Sequence, residues 1–195
     1  MAWYDFFAHT YDASLEPLYA EHRALAADAL ELKPGMRVLD APCGTGQSFA
    51  ALSSRLGPEG TLIGADLSAG MLRKAEKRQV DTQLELHNVD AALLEIDAVD
   101  AVHVFLGMTV FDDMQATFEQ LWRHLKPGGR CILVDVHAET LGLQGWMVNK
   151  MAQADIRRRF WEPLQKVGDD FRREDLPYNW SHGGQIQLAV ATKPR

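Results

Sequence analysis

Apolar periodicity along this chain of 195 residues switches repeatedly between two and 3.6, and that alternation constrains the fold more than any other feature. Runs with strand character at 36–40, 61–66, 84–87, 100–105 and 131–136 are separated by stretches with helical spacing. Strands joined through helices pair in parallel, because each needs a crossover, and a parallel sheet is covered on both faces. The punctuation agrees. Lys33-Pro34-Gly35 stops a helix expected over 14–32, with Ser14 as N-cap, Pro17 in its first turn, and Leu18, Leu25 and Leu30 at helical intervals. Gly57-Pro58-Glu59-Gly60 ends a helix expected over 47–56. Ser68 caps the next, with Met71 and Leu72 inward, and Asp112-Asp113 open an acidic first turn for a helix through Leu125. Lys126-Pro127-Gly128-Gly129 is expected to be a turn. Beyond 137 the pattern changes. Residues 146–168 predict one helix with Trp146, Ile156, Phe160 and Trp161 toward its buried side, and 177–181 with 185–192 predict a hairpin about Gly183-Gly184. No internal repeat or low-complexity linker interrupts the chain, so one domain over 1–195 is expected.

The chemistry concentrates in Val38-Leu39-Asp40-Ala41-Pro42-Cys43-Gly44-Thr45-Gly46, a strand, a tight glycine turn and a helix start. Glycines let the backbone approach a ligand, and a helix start offers unpaired N–H groups. A dinucleotide fold wants a third glycine where this chain has Phe49, and the Gly-Lys-Ser/Thr of a P-loop is absent. Asp40 instead closes the strand with a carboxylate, which suits a cationic cofactor better than a pyrophosphate. Asp66 ends the second strand, where a carboxylate can accept from both hydroxyls of a ribose; the plainer role is to help cap the following helix. Asn88-Val89-Asp90-Ala91, after the third strand, could meet an adenine with a side chain and a backbone amide.

Taken in order and spacing, Asp40 to Gly46, Gly64-Ala65-Asp66-Leu67-Ser68 with Met71, Val89-Asp90-Ala91, and Leu125-Lys126-Pro127-Gly128-Gly129 resemble the class I S-adenosylmethionine-dependent methyltransferases. The resemblance is strong over 34–137. It implies a Rossmann-like, seven-stranded, mostly parallel sheet with helices on both faces and an antiparallel last strand. It also implies S-adenosylmethionine as cofactor, with Gly44 and Gly46 at its methionine part, Asp66 at the ribose and Asp90 with Ala91 flanking the adenine; Asp40, Ala41, Cys43, Leu67, Met71 and Phe105 complete the expected cofactor-binding set. Pro42 departs from the pattern, standing where many members carry the first glycine. Within the family, Tyr4-Asp5-Phe6-Phe7-Ala8-His9-Thr10-Tyr11-Asp12 looks like the aromatic opening of quinone-biosynthesis and phospholipid methyltransferases.

What remains concerns the acceptor. The chain divides into an N-terminal helical lid at 1–32, a cofactor core at 34–137 and a substrate side at 138–195. Tyr11, His103 and His137 are the candidate catalytic residues, although for each histidine a structural role weighs more than that of a base. Tyr178 and His182 lie in segments expected to cover the site. Cys43 lacks the partners of a nucleophile, and with Cys131 far away in sequence the two thiols form no metal cluster. Twenty basic residues against 27 acidic ones, a net charge of −7, disfavour nucleic acid as the partner. The Arg157-Arg158-Arg159 run leaves room for transient membrane-surface contact, but no apolar run nears the ~20 residues of a transmembrane helix. The start lacks the pattern of a signal peptide, and cytoplasmic placement is expected. The expected reaction is methyl transfer to a small organic acceptor, at oxygen or nitrogen before carbon. A nicotinamide-dependent oxidoreductase and a non-catalytic, cofactor-binding partner protein are the rivals.

Overall fold

The computed structural model of the protein describes residues 18–177 and 183–195. Its strands are β1 (Arg37–Asp40), β2 (Thr61–Asp66), β3 (Gln83–Asn88), β4 (Val99–Phe105), β5 (Leu125–His137), β6 (Asp169–Asp175) and β7 (Gln185–Thr192). They form one sheet in the order β3-β2-β1-β4-β5-β7-β6. The first five pair in parallel, and β7 runs antiparallel to both β5 and β6. The seven-stranded, mostly parallel sheet expected from sequence is therefore present. Strand order turns at β1, whose neighbours are β2 on one side and β4 on the other. In an open α/β sheet a crevice forms outside the carboxyl ends of the strands at such a point.

Adjacent residues on a strand point to opposite faces, and the two cores divide accordingly. Val38, Leu62, Ala101 and Ile132 enter one core with helices α1 (residues 18–29), α2 (Phe49–Leu56) and α3 (Ala69–Ala75). Leu39, Ile63, Val102 and Leu133 enter the other with α4 (Met114–His124) and with Phe160, Trp161 and Leu164. Ser68 caps α3 as expected, whereas α4 has no acid in its first turn and Asp113 stands before it as the N-cap. Ser68 accepts from the Met71 amide at 3.2 Å, and Asp113 from the Ala116 amide at 2.9 Å.

Four details depart from the sequence expectation. The inward face of α1 is Tyr19, His22, Arg23, Ala26 and Ala27, with Leu30 buried just past its end, while Leu25 points outward; Ser14 and Pro17 lie outside the described residues. Lys126-Pro127-Gly128-Gly129 is drawn into β5, because the Gly128 amide donates to Lys193 O and the Lys193 amide to Gly129 O, each at 2.8 Å. Lys193 Nζ also reaches the carbonyls of Trp122 and Leu125, closing the end of α4. The single helix over 146–168 is two, α5 (Leu143–Ala152) and α6 (Glu162–Val167). Gln153 breaks it in a left-handed conformation, and Pro163 begins the second piece. Trp146 is exposed on α5, whereas Ile156, Phe160 and Trp161 are buried as expected. Finally, the strand that pairs with β7 is 169–175 rather than 177–181, of which 178–181 lies outside the described residues.

Candidate active site

The turn after β1 lies against the end of β2. Gly44 and Gly46 take left-handed φ of 56° and 73°, which side chains rarely tolerate. The Cys43 amide donates to Ala65 O at 2.9 Å, and the Gly44 amide to Asp66 Oδ2 at 2.8 Å. The other oxygen, Asp66 Oδ1, accepts from the Ser68 amide at 2.8 Å. Asp66 thus ties the glycine turn to the helix that follows β2, and the plainer of its two expected roles is realised. Asn88 Nδ2 donates to Asp66 O and Leu67 O, bringing β3 to the same end. Leu67 is exposed there and Met71 buried. Asp90 turns inward on its own backbone, accepting from the Ala92 amide at 2.9 Å, beside a buried Ala91.

Asp40 and His103 face each other across β1 and β4, in register. Asp40 Oδ1 lies 2.7 Å from His103 Nδ1, and both side chains are buried. That contact assigns the Nδ1–H tautomer or the charged ring. Asp40 Oδ2 and His103 Nε2 are buried with no hydrogen-bond partner among the described residues. The His103 ring stacks on Phe105 at 5.9 Å. Above it Arg23 of α1 lies 5.0 Å from the Phe105 ring centre and donates to Gln47 Oε1, linking the helix to the glycine turn. Arg23 was not singled out from sequence; four residues after Tyr19, it occupies a helix position where a cation among apolar neighbours was the available signal.

His137 does not join His103. Alternation puts it on the opposite face of the sheet, edge-on to Trp161 at 4.8 Å, with Nδ1 3.2 Å from Arg158 O. Tyr11, Tyr178 and His182 lie outside the described residues. Burial first, then the Asp40 and Asp66 carboxylates, push the Cys43 thiol up, which disfavours a thiolate. Both cysteines are free. Among the described residues no acidic, histidine and cysteine group is arranged to hold a metal, and no helix is long and apolar enough to cross a membrane.

A second buried carboxylate, missed from sequence, sits on β5. Asp135 accepts from Thr109 twice, at 3.0 Å from its amide and 2.8 Å from its hydroxyl, and from the Val136 amide at 2.8 Å. Burial raises its carboxyl to about 6, partly offset by those donors. The native value lies above that of an unfolded chain, so the folded state binds more protons between about pH 4 and 6 and stability falls as pH rises through that window. Lowering the pH from 7 to 5 is expected to stabilise the wild type relative to Asp135→Asn by roughly 1 kcal/mol in denaturant unfolding. An equal response in both proteins would place the titration elsewhere.

Residues 38–129 match a family described as a methyltransferase domain. The demethylmenaquinone methyltransferase of Oceanobacillus iheyensis is 29% identical over 131 residues, which cover 63% of this chain and 55% of that protein. A ubiquinone/menaquinone biosynthesis C-methyltransferase of Methylococcus capsulatus is 30% identical over 128 residues, covering 61% and 52%. The chain spans about half the length of these curated relatives. Among solved structures, the geranyl diphosphate C-methyltransferase of Streptomyces coelicolor, in complex with S-adenosyl-L-homocysteine among other ligands, superposes with a TM-score of 0.74 over 89% of this chain and 76% of that one, at 19% identity. That likeness is one of fold.

Proposed function

We propose that this chain, a class I S-adenosylmethionine-dependent methyltransferase by its motifs, sheet order and relatives, moves the methyl group of S-adenosylmethionine to a small apolar acceptor. The carrying observation is Asp40 Oδ2, a buried acceptor without a partner beside the positive-φ glycine turn. A cationic cofactor supplies the missing donor, whereas a pyrophosphate beside Asp40 and Asp66 would be repelled. The residues present fit the group. Asp40, Ala41, Cys43, Gly44 and Gly46 would hold its methionine part, Asp66, Leu67 and Met71 the ribose, and Asp90, Ala91 and Phe105 the adenine end and the walls. When bound, the cofactor supplies a methyl on a sulfonium; the chain's own work is to hold the acceptor in line and keep water out. The 1–32 and 138–195 segments would build the acceptor side around the 34–137 core. His103, buried against Asp40, fits a residue that orients that carboxylate better than one that abstracts a proton. The relatives are named for quinone biosynthesis, one of them for methylation at carbon, and this moves carbon ahead of the oxygen and nitrogen acceptors expected from sequence.

Calorimetry with S-adenosylmethionine, S-adenosylhomocysteine and NAD separates the rivals. Binding of the first two and not of NAD is expected, and NAD binding alone would sink the assignment. Labelled cofactor offered with a hydroquinone, a catechol and an amine, each followed by mass, then sorts the acceptor atom. Cofactor binding with no transfer to any acceptor would favour the partner-protein alternative. Asp66→Ala is expected to weaken S-adenosylhomocysteine about tenfold or more, since charge-assisted hydrogen bonds contribute roughly 1.5–3 kcal/mol each. A folded Asp66→Ala protein with wild-type affinity would leave Asp66 only its helix-entry role.

A further inference from the structure

Asp135 stands one residue beyond the last register pair of β5 with β4, Val134 with Phe105. There it meets the loop that leaves β4 for α4. Thr109 gives the carboxylate both its amide and its hydroxyl. On its other side the same loop touches the glycine turn, for a Cβ on Gly107 would run into the Pro42 ring. It is also tied from behind, where the Asp155 amide donates to Thr109 O at 2.9 Å and Arg158 Nη1 to Phe111 O. The loop is thus wedged between the turn and a buried carboxylate that takes a bond from it on each of its two oxygens.

We propose that Asp135, acting through Thr109, is the residue that positions the 107–111 loop against the glycine turn, and that it does so as a carboxylate; the importance of that position rests on the methyl-transfer reading of the turn. The Thr109 amide bonds one carboxylate oxygen and its hydroxyl the other, so protonation removes the charge that strengthens both bonds and turns one of the two acceptors into a donor. Two effects of pH on this carboxyl then have opposite signs. Complete unfolding removes the burial, which raises the carboxyl, so acid favours the folded chain. Opening of the loop alone removes the Thr109 donors, which lower it, while Leu133, Phe160 and Trp161 keep that core closed, so acid favours the open loop. The ionisable side chains on the surrounding elements are His137 on β5, Asp112 and Asp113 on the loop, and Asp155, Arg157, Arg158 and Arg159 behind it; β7 presents the neutral Gln187 in register. None of these is among the causes of the Asp135 shift, which are burial and the hydrogen bonds.

Amide exchange of residues 107–111, corrected for intrinsic rates, tests the clamp without any cofactor. Between pH 7.5 and 5.5 the wild-type Thr109 amide is expected to lose protection threefold or more. In Asp135→Asn protection should be low and independent of pH. Thr109→Val, which keeps the shape and loses the hydroxyl donor, should lower it, and Thr109→Ser should restore it; this pair decides the matter should Asp135→Asn fail to fold. Protection in the wild type that is flat or rises toward pH 5.5, or a serine variant as loose as the valine one, would overturn the proposal. Titration of the wild type with S-adenosylhomocysteine tests the underlying reading separately. Failure to bind it would remove the site for which the loop is positioned, whatever the exchange shows.

Discussion

Phe49→Ala is expected to lower the stability of the fold by about 3–5 kcal/mol and to weaken S-adenosylhomocysteine binding with it. Phe49 opens α2 and is completely buried. Its ring lies over two glycines: a Cβ on Gly46 would come within 2.7 Å of Cδ2, and one on Gly64 within 2.8 Å of Cζ. The ring thus fills the space that joins the glycine turn, the start of α2 and the middle of β2. In the dinucleotide pattern a third glycine at this position lets helix and strand approach closely. Here the bulk is reversed, with glycines on the strand and turn and the large side chain on the helix. Alanine would leave a cavity against two residues that have no side chains with which to refill it, so little collapse can offset the loss. Denaturant unfolding checks the first effect, and calorimetry at a temperature where the variant stays folded checks the second. A loss below 1 kcal/mol would mean that the glycines do not depend on the ring.

What could be seen in sequence was local. Strand β2 was placed at its observed ends, and Ser68 caps α3 as expected because an N-cap needs only its own next three residues. The glycine turn was equally plain, since strand, glycines and helix start are contiguous. Distant partners were not. Asp40 and His103 are 63 residues apart and meet only because β1 and β4 pair at the point where strand order turns. Asp135 was hidden in an apolar run, Ile132-Leu133-Val134-Asp135-Val136, and its donors come from a loop 26 residues earlier. Strand β6, Asp-Asp-Phe-Arg-Arg-Glu-Asp, carries almost no apolar signal. It is an edge strand with one paired neighbour, and charge on such an edge discourages pairing with other chains. Arg23 escaped because the leucine spacing predicts a face through Leu18, Leu25 and Leu30, of which Leu18 and Leu30 pack on the core and Leu25 does not. Leu25 points outward while Tyr19, Arg23 and Ala26 turn in.

Asp40→Asn and His103→Leu are expected to fail in opposite ways. Asparagine keeps an oxygen that can accept from His103 Nδ1, so the link between β1 and β4 survives and the fold should remain. What it loses is the charge on the second oxygen, now an amide donor facing the place where a cationic group is expected. Loss of a charge-assisted hydrogen bond of roughly 1.5–3 kcal/mol corresponds to a 10- to 100-fold weaker S-adenosylhomocysteine complex. Leucine at position 103 does the reverse. It leaves a carboxylate buried beside β4 with no protein partner, and breaking a buried pair in this way costs on the order of 3–5 kcal/mol. The oxygen proposed to meet the cofactor is untouched, so binding should persist in whatever fraction remains folded. Because a ligand that binds only the folded state stabilises it, saturating S-adenosylhomocysteine should raise the melting temperature of His103→Leu clearly, and that of Asp40→Asn very little. The double variant completes the cycle. A stability coupling above about 1 kcal/mol identifies a direct pair, while additive losses would mean that the two residues act independently. Should Asp40→Asn bind as tightly as the wild type, Asp40 would serve His103 alone, and the cation would have to be met elsewhere on the glycine turn.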